Sequence, residues 1–591
     1  SSNNTTAGCL PLDLTYRTIL GGLNRTQLTE ALGFKWDVDP QLTVAGRFDY
    51  GHAKVANNVV TITATAYGLS EAIVDYTGKY HAPNIQLPGL DTTSGDNVKT
   101  LDYEWSPEVN NTRETSEKMD FDYKPDWATW LKFKVGYQRH EYRTNQTYSL
   151  KHVELSCRGG TSSGYYLIYK TDCDTLENIV STTAKVNKIP FYATGDLGFS
   201  NNIRYWNEMT MATGKAIQAA AVAAGATDTD PYDLTTTNPN SGYNGTWVSY
   251  LDNWTVSEAT NGWYGQAQFD FPDFYVPVSG NFGMRFVDTN TRSTGYTKNT
   301  SGSTVTYPTD SISGGYNQLL PSANLKVDII PDELIGRFAF GKVMARPAPS
   351  NIAIKRSLDI VGLTGSEGNP SLKPFLSTDF DAGVEYYFGG VNFASLTLFQ
   401  KKITRFIENT STSEVIETGS GTYTYSITRP TNNSDPVTIN GLEVGLQYAF
   451  DWLPAPFDGA GVTANATFQQ DHGYNAVNQI DGSDLTFQGL SRTSYNASVY
   501  YENHYVSARL SYNWRSHWLS AASGRGNLPE FFQSYGQVDA SVSFNITEDV
   551  SFFVEGTNLL DAQMIEYNAP ARPIQLETFG SRYYFGFRGK Y

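Results

Sequence analysis

Aromatic side chains are abundant in one polar stretch of the chain, between residues 143 and 262. Their rings could stack against the C–H faces of a sugar, while neighbouring amide and carboxylate groups could hydrogen-bond its hydroxyls. The same rings could instead pack the stretch against itself or mark a membrane interface. The candidates for ligand contact are Tyr165, Tyr166, Trp206, Trp247, Asp252, Trp254, Trp263 and Tyr264.

Two of the three cysteines, Cys157 and Cys173, bracket a short polar segment. A disulfide between them would close this segment and would fit an oxidising compartment, whereas the alternative is two unpaired thiols. Cys9 has no obvious partner in the sequence. Because the chain contains no C-x-x-C pair, we do not expect a metal site built from thiolates.

The sequence lacks the common catalytic and metal-binding motifs. It contains no G-x-S-x-G, H-E-x-x-H or phosphate-binding loop, and its histidines are dispersed without metal-ligand spacing. The run 227–230 alternates Thr and Asp but lacks the Gly and the distant Glu of a calcium-binding loop, so we expect a solvated loop there. We predict no catalytic residue, no metal and no cofactor.

The composition argues against two broad classes of protein. A net charge of −17 and a pI near 4.9 disfavour nucleic acid as a partner, because its phosphates require a basic surface. No apolar run reaches the roughly 18 residues that a membrane-spanning helix needs. The mean hydropathy of −0.39 is compatible with a membrane β-barrel, since only every second residue of its strands faces lipid.

Strands that could carry these loops are predicted from alternating side chains. The segment 582–591 places Tyr583 and Phe585 on one face and Arg588 on the other. Similar alternation begins near residues 32, 131, 380, 442, 506 and 538. One face is almost purely aliphatic and aromatic while the other often carries charges, which suits lipid outside and a wet lumen inside better than a sandwich with a dry core. We therefore predict an all-β fold, a transmembrane antiparallel β-barrel.

The connections between these strands are of two kinds. Short turns rich in Asp, Asn, Gly and Pro alternate with long polar stretches, as in outer-membrane barrels with short periplasmic turns and long extracellular loops. We expect about seventeen strands from this pattern. Two of the long stretches are 52–112 and 143–262. We interpret 143–262 as a large extracellular loop insertion, with a short Ala-rich helix near 206–224.

Five short motifs occur in a fixed order along the chain: GNFGMR at 280–285, LPSANL at 320–325, ARP at 345–347, GNPSLKP at 368–374 and NLLD at 558–561. The ordered set resembles the TonB-dependent receptors, in particular a proteobacterial subfamily with many oligosaccharide importers, over roughly residues 27–591. Pro370 and Pro374 cannot donate backbone hydrogen bonds, so we interpret the motifs as shaping loops and strand ends and not as catalytic.

The resemblance implies parts that the sequence does not display. Family members carry an N-terminal plug domain and a short segment that binds TonB, and neither is recognisable here. A full family barrel has 22 strands, so we expect residues 1–591 to form the C-terminal portion of a barrel, with its first strands and the plug upstream of Ser1. The last strand would then pair with upstream residues, because an unpaired edge in lipid is costly. Pairing with the strand near Leu32 would instead indicate a complete barrel.

The resemblance implies an importer in the bacterial outer membrane that captures its ligand with extracellular loops. An oligosaccharide is the expected ligand, and a siderophore or another metal chelate is the alternative. The acidic balance weakly disfavours an anionic ferric complex. A passive porin or structural barrel is the second alternative. The expected partners are TonB, outer-membrane lipid, lipopolysaccharide and the small-molecule ligand.

Overall fold

The computed structural model of the chain describes residues 12–69, 73–75, 84–86, 98–149, 151–157, 167–188, 202–205, 211–224, 252–297, 299–301, 304–359, 363–418, 421–524, 528–569 and 572–590. Most of these residues lie in β-strands, and the longest strands form one large sheet. No helix among them is long and apolar enough to cross a membrane.

The wall of the barrel consists of strands that pair in chain order, each antiparallel to the next. This arrangement is an up-and-down meander, which needs only hairpin connections. The strands are β1 Leu12–Asp37, β2 Leu42–Leu69, β3 Val98–Tyr123, β4 Leu131–Tyr148, β5 Trp254–Phe271, β6 Val278–Tyr296, β7 Thr309–Ile330, β8 Leu334–Ala345, β9 Phe375–Tyr387, β10 Phe393–Thr404, β11 Val437–Ala449, β12 Ala460–His472, β13 Thr493–Glu502, β14 Val506–Arg515, β15 Tyr535–Asn545, β16 Val550–Thr557 and β17 Arg582–Gly589.

Short helices and strands lie in the long connections between wall strands. These long connections are all at one end of the wall, which we call the extracellular end. The helices are α1 Cys173–Thr183, α2 Met211–Ala223 and the single turn α3 Pro349–Ile352, and a 3₁₀ turn, Phe457–Gly459, lies in a connection at the opposite end. The short strands are Ile73–Asp75, Asn84–Gln86, Lys151–Ser156, Leu167–Lys170, Lys185–Lys188, Asn202–Tyr205, Asn299–Ser301, Thr304–Thr306, Arg356–Asp359, Thr364–Glu367, Ile407–Thr418, Gly421–Asn432, Trp518–Ala521, Glu530–Phe532, Gln563–Ala569 and Arg572–Thr578.

The outward face of the wall is apolar. On β17, Tyr583, Phe585 and Phe587 are 67%, 79% and 71% exposed, as expected for side chains that meet lipid instead of a protein core. The inward residues of the same strand include Arg588, which pairs with Glu555 on β16 at 3.1 Å. The predicted fold class, an all-β transmembrane antiparallel β-barrel, is confirmed.

Several strands extend beyond the predicted loop boundaries. The predicted loop 52–112 is much shorter, because β2 continues to Leu69 and β3 begins at Val98. The predicted insertion 143–262 also overlaps two strands, since β4 continues to Tyr148 and β5 begins at Trp254. In the extensions of β2 and β3 the alternation continues, but the apolar face packs into a protein core: Val60, Ile62, Leu101 and Tyr103 are buried in a cluster with Leu176 of α1. The extensions of β4 and β5 carry polar residues on both faces, so the alternation that marks a lipid-facing strand is missing there.

The edges of the wall and the helices bear on two further predictions. Strand β17 pairs with β16 and β1 pairs with β2, and the described residues contain no pairing between β1 and β17. Helix α2 begins at Met211, and residues 206–210 lie outside the described residues. Helix α1 was not predicted. Asp172 caps its first turn by accepting a hydrogen bond from the Thr175 amide at 2.7 Å. The side chains of Leu176 and Ile179 form the buried face of the helix.

Candidate functional site

Two adjacent ligand candidates, Trp263 and Tyr264, lie within β5. Because side chains alternate along a strand, their rings point to opposite sides of the wall. Trp263 faces outward, is 46% exposed, and its ring centre lies 5.5 Å from that of Tyr137 and 6.0 Å from that of Phe286. Tyr264 faces the lumen and donates a hydrogen bond to Asp120. Their predicted placement in an extracellular loop is wrong, and of the two only Tyr264 can face a ligand in the lumen.

Trp254 begins β5 and lies inside the lumen near its extracellular end. The residue is 5% exposed and belongs to a packed cluster with Ile352, Ala353 and Leu372. These partners come from the connection between β8 and β9, which folds inward; the amide of Ile354 donates to Ser293 Oγ at 2.8 Å. Trp254 therefore anchors an internal loop, and its ring is not an open platform for a ligand.

The GNPSLKP motif holds this inward connection in place. A Cβ atom on Gly368 would lie 2.1 Å from the carbonyl oxygen of Ala353, so the close approach requires glycine. Asn369 Nδ2 donates to the Pro430 carbonyl at 2.9 Å, and Lys373 Nζ donates to the Gly315 carbonyl at 2.9 Å. These contacts are structural, as the sequence analysis expected for this motif.

The remaining candidates lie outside the wall or outside the described residues. Asp252 precedes β5, and its carbonyl oxygen accepts from Gln146 Nε2 at 3.5 Å. Cys157 and Cys173 form a disulfide with a Cα–Cα distance of 5.1 Å, which joins the start of α1 to the strand segment Lys151–Ser156. Four of the predicted ligand residues are outside the described ranges, namely Tyr165, Tyr166, Trp206 and Trp247.

A continuous row of amide side chains crosses the inner wall near its extracellular end. Asn465 on β12 lies opposite Asn496 on β13, which lies opposite Asn513 on β14, which lies opposite Gln537 on β15. We call these four residues the amide row. A cavity of about 640 Å³ borders it, lined also by Gln469 and Gln488.

The amide row has unused hydrogen-bonding capacity. Asn496 Nδ2 donates to Asn465 Oδ1 at 2.9 Å, and Asn513 Nδ2 makes one long contact, 3.5 Å, with Asp539 Oδ2. A carboxamide offers two donors and an acceptor with two lone pairs, so both groups could bind a further polar ligand. The row could thus recognise hydroxyl groups without burying an unpaired charge.

The loop 485–491 borders the same cavity and is fixed to the wall by Arg515. Arg515 Nε donates to Ser491 Oγ and Nη2 donates to the Gly489 carbonyl, each at 2.8 Å. The guanidinium lies 3.8 Å from the centre of the Trp518 ring, a cation–π contact. Because two of its hydrogen bonds and its ring contact join the loop to the wall, Arg515 positions the loop.

A contrasting group of inward side chains lies nearer the other end of the lumen, on β3 and β4. Asp120 accepts a hydrogen bond from Tyr264 and pairs with Lys118 at 2.9 Å and Lys134 at 3.6 Å. Asp122 pairs with Lys134 at 3.5 Å and with Lys132 at 3.4 Å. We call Lys118, Asp120, Asp122, Lys132 and Lys134 the charged sector. Each of its two carboxylates pairs with two of its three ammonium groups, which indicates cross-strand support.

A second ion cluster lies in the extracellular loops. Arg356 pairs with Glu367 at 3.0 Å and with Glu414, and Arg429 pairs with Glu367 at 2.7 Å. The cluster joins the strand segments Arg356–Asp359, Thr364–Glu367, Ile407–Thr418 and Gly421–Asn432 into one loop sheet. The hydrogen bond from Arg356 lowers the pKa of the Glu414 carboxyl below its ordinary value.

The amide row was not predicted from the sequence. Its residues are isolated polar positions on four alternating strands, and each alone predicts only a side chain facing the lumen. The register of the strands brings them together, and register is not visible in a single strand. An unusual density of Asn and Gln at inward positions of consecutive strands was the available signal.

Comparison with known proteins agrees with this architecture. A family model described as "TonB dependent receptor-like, beta-barrel" matches residues 70–559, which is most of the chain. No curated protein sequence matches the chain.

Three solved structures are among those that match the chain. The ferric-catecholate import receptor Fiu from K12 E. coli matches 93% of this chain with 11% identity and a TM-score of 0.49; the chain spans 65% of the length of Fiu. For the siderophore receptor PiuA from Acinetobacter baumannii, the match covers 98% of this chain and 80% of the PiuA chain, with 11% identity and a TM-score of 0.46. For the ferric yersiniabactin uptake receptor FyuA from Yersinia pestis, it covers 97% of this chain and 79% of the FyuA chain, with 11% identity and a TM-score of 0.44.

The family match covers the wall of the barrel from the end of β2 to the end of β16 and includes all five motifs recognised in the sequence, apart from the last two residues of NLLD. Family membership places the chain in the bacterial outer membrane, where the apolar outward face meets lipid. The chain belongs to the TonB-dependent receptor β-barrel family.

Proposed function

We propose that the whole protein imports a scarce small-molecule nutrient across the outer membrane, with energy supplied through TonB. Membership of the TonB-dependent receptor family is the observation that carries this proposal. A plug domain and a TonB-binding segment, together with the remaining strands of a 22-stranded barrel, would complete the receptor. The protein acts as a transporter and not as an enzyme.

The ligand class that we propose is a neutral oligosaccharide. The amide row supports this choice, because Asn496 and Asn513 retain donors and acceptors at the extracellular end of the lumen. The cavity beside the row, about 640 Å³, has the size of a small-molecule site. The aromatic candidates Tyr165, Tyr166, Trp206 and Trp247 would add stacking surfaces from the long extracellular loop.

A metal chelate is the alternative ligand, the class named for Fiu, PiuA and FyuA. Arg285 is the inward residue that favours it, because it donates to Gln138 Oε1 at 2.6 Å and forms no ion pair with a carboxylate of the described residues. A cation of this kind could bind an anionic chelate as the ligand passes through the lumen.

Uptake assays distinguish transport from passive diffusion. We expect cells that produce the whole protein to accumulate a labelled ligand, and we expect accumulation to stop when TonB is deleted. A passive porin would instead give uptake that persists without TonB and does not exceed the external concentration.

Binding to the purified whole protein distinguishes the two ligand classes. We expect saturable quenching of tryptophan fluorescence with one member of a panel of neutral oligosaccharides and no saturation with ferric catecholates. Saturation with a ferric chelate alone would reverse the assignment and leave the transport proposal intact.

A further inference from the structure

Three arginines share one row on the outward face of the wall. Arg113 on β3 lies directly opposite Arg143 on β4, and Ser257 on β5 lies opposite both Arg143 and Arg292 on β6. We call Arg113, Arg143 and Arg292 the arginine row. Neighbouring strands are about 4.8 Å apart, so the row places three guanidinium groups within roughly 15 Å along the hydrogen-bonding direction.

The charges of the arginine row are not neutralised by the protein around them. All three residues are exposed, and none forms a hydrogen bond or an ion pair with a side chain of the described residues. Arg139, four residues before Arg143 on the same outward face, is by contrast paired with Glu141. Like charges directly opposite each other destabilise a sheet, so an anion from outside the chain would stabilise the Arg113–Arg143 pair.

The arginine row lies beyond the apolar band on the extracellular side. The outward residues Tyr137, Trp263 and Phe286 form an aromatic group on β4, β5 and β6, of the kind found at a membrane interface. Arg143 follows Tyr137 by six residues, which is about 20 Å along a strand and about 15 Å along the barrel axis at a tilt near 40°. This height corresponds to the polar headgroup layer of the outer leaflet.

The surface at this height is concave. A groove of about 620 Å³ is lined by the three arginines together with Tyr50, Asn290 and Ser313. These three residues face outward like the arginine row. Ser313 on β7 lies directly opposite Arg292, and Asn290 lies two residues before Arg292 on β6. Tyr50 on β2 lies opposite Thr115, two residues after Arg113.

Three carboxylates also border the groove, but each has a basic neighbour outside the arginine row: Glu141 pairs with Arg139, Glu258 pairs with Arg346, and Glu114 lies 4.0 Å from His140. The groove therefore combines three unpaired cations with neutral hydrogen-bonding groups.

We propose that this groove binds the phosphate groups of a phosphorylated glycolipid in the outer leaflet, the lipopolysaccharide. Guanidinium groups bind phosphate oxygens through paired hydrogen bonds, and phosphate supplies the negative charge that the row lacks. A soluble anion in the lumen could not reach the outward face, whereas a lipid phosphate is held beside it. The proposal rests on the outer-membrane location and is independent of the transported ligand.

The test compares two variants of the whole protein, purified from outer membranes in mild detergent. One variant carries Arg113→Gln, Arg143→Gln and Arg292→Gln. The control carries Arg139→Gln together with Glu141→Gln, which removes an outward arginine and its paired carboxylate and leaves the net charge unchanged. Lipopolysaccharide retained per receptor is measured by mass spectrometry, and folding is checked by the altered gel migration of an unheated barrel.

We expect the triple variant to retain at least about tenfold less lipopolysaccharide than the wild type, and the control to retain a normal amount. Dephosphorylated glycolipid should bind the wild type no better than the triple variant. Equal retention by the wild type and the triple variant would overturn the proposal, as would an equal loss in the control. Complete displacement by millimolar inorganic phosphate would also contradict it, since the site would then favour the free ion. Nutrient uptake is measured separately, so a failed transport proposal would not alter these outcomes.

Discussion

The charged sector and the amide row line the same lumen but use their side chains differently. In the charged sector, Lys118 and Lys134 hold Asp120 at 2.9 and 3.6 Å, and Tyr264 also donates to that carboxylate. In the amide row, Asn513 makes a single side-chain contact among the described residues, at 3.5 Å. The first group is nearly satisfied by its own neighbours, whereas the second has donors and acceptors to spare.

This difference separates support from recognition. Cross-strand pairs between opposite charges stabilise a sheet modestly and leave little capacity for a passing ligand. Neutral amides cost less to desolvate than charges, so they can exchange water for the hydroxyls of a ligand. We infer that the charged sector mainly stiffens the wall and that the amide row mainly contacts the ligand.

The largest expected effect tests whether the inward face of the amide-rich part of the wall is in contact with water and its outward face with lipid. Val542 faces outward on β15 and its neighbour Ser543 faces the lumen. We expect Val542→Arg to cost about 2–4 kcal/mol of unfolding free energy near the bilayer midplane, and Ser543→Arg to be mild. Urea titration of the barrel folded into lipid vesicles measures both. Equal costs would contradict the assignment of the faces and with it the comparison of the two groups.

The next effect tests the supporting role of the charged sector. We expect Asp120→Ala to lower the free energy of unfolding by about 2 kcal/mol, because it leaves Lys118 and the Tyr264 hydroxyl without their acceptor and leaves Lys134 with Asp122 alone. Asn513→Ala is the matched change in the amide row and should cost less than about 1 kcal/mol. The same urea titration compares them, and a larger cost for Asn513→Ala would reverse the proposed roles.

The sequence predicted the faces of β15 and β17 well, because lipid on one side and water on the other impose a strict alternation. It failed at Trp263 and Tyr264, where polar residues on both faces hid the strand. The extensions of β2 and β3 were missed for a different reason, since their apolar side chains, among them Val60 and Leu101, pack into a protein core at the extracellular end and do not face lipid.

The amide row could not be derived from the sequence for a different reason. Asn465, Asn496, Asn513 and Gln537 belong to four strands, and their alignment depends on the register of three successive pairings. A shift of one residue in any pairing would move a side chain to the outward face. The GNPSLKP motif shows the opposite case: it stands out in the sequence, yet its Gly368 serves a close backbone contact.

A smaller effect tests the recognition role of the amide row. We expect the double variant Asn496→Ala, Asn513→Ala to bind the transported oligosaccharide about tenfold more weakly, since each lost hydrogen bond is worth about 0.5–1.5 kcal/mol. Asn324→Ala is the matched control, an inward amide on β7 that donates to Asn281 Oδ1 at 3.2 Å. Fluorescence titration measures the three affinities. An unchanged affinity in the double variant would remove the amide row from the binding site.

The smallest effect extends the comparison to the loops, where charge should make structure depend on pH. The folded-state pKa of Glu414 is lowered, chiefly by the hydrogen bond from Arg356. Its contribution to the stability of the loop sheet is therefore fully present above the ordinary glutamate pKa of about 4.3. That contribution is lost as the pH falls through the lowered value.

We therefore expect faster hydrogen exchange in the segments Ile407–Thr418 and Gly421–Asn432 at pH 3 than at pH 6, after correction for intrinsic rates. Glu414→Gln should remove most of this difference. In the loop 485–491 the Phe487 amide donates to the titratable Asp471 carboxylate at 2.8 Å, so the control is only the segment 489–491, which Arg515 holds through Ser491 and a backbone carbonyl that do not titrate in this range. Its exchange should therefore be unchanged between the two pH values, and an equal acceleration there would mean that acid loosens the whole extracellular end and not the ion-paired loop sheet.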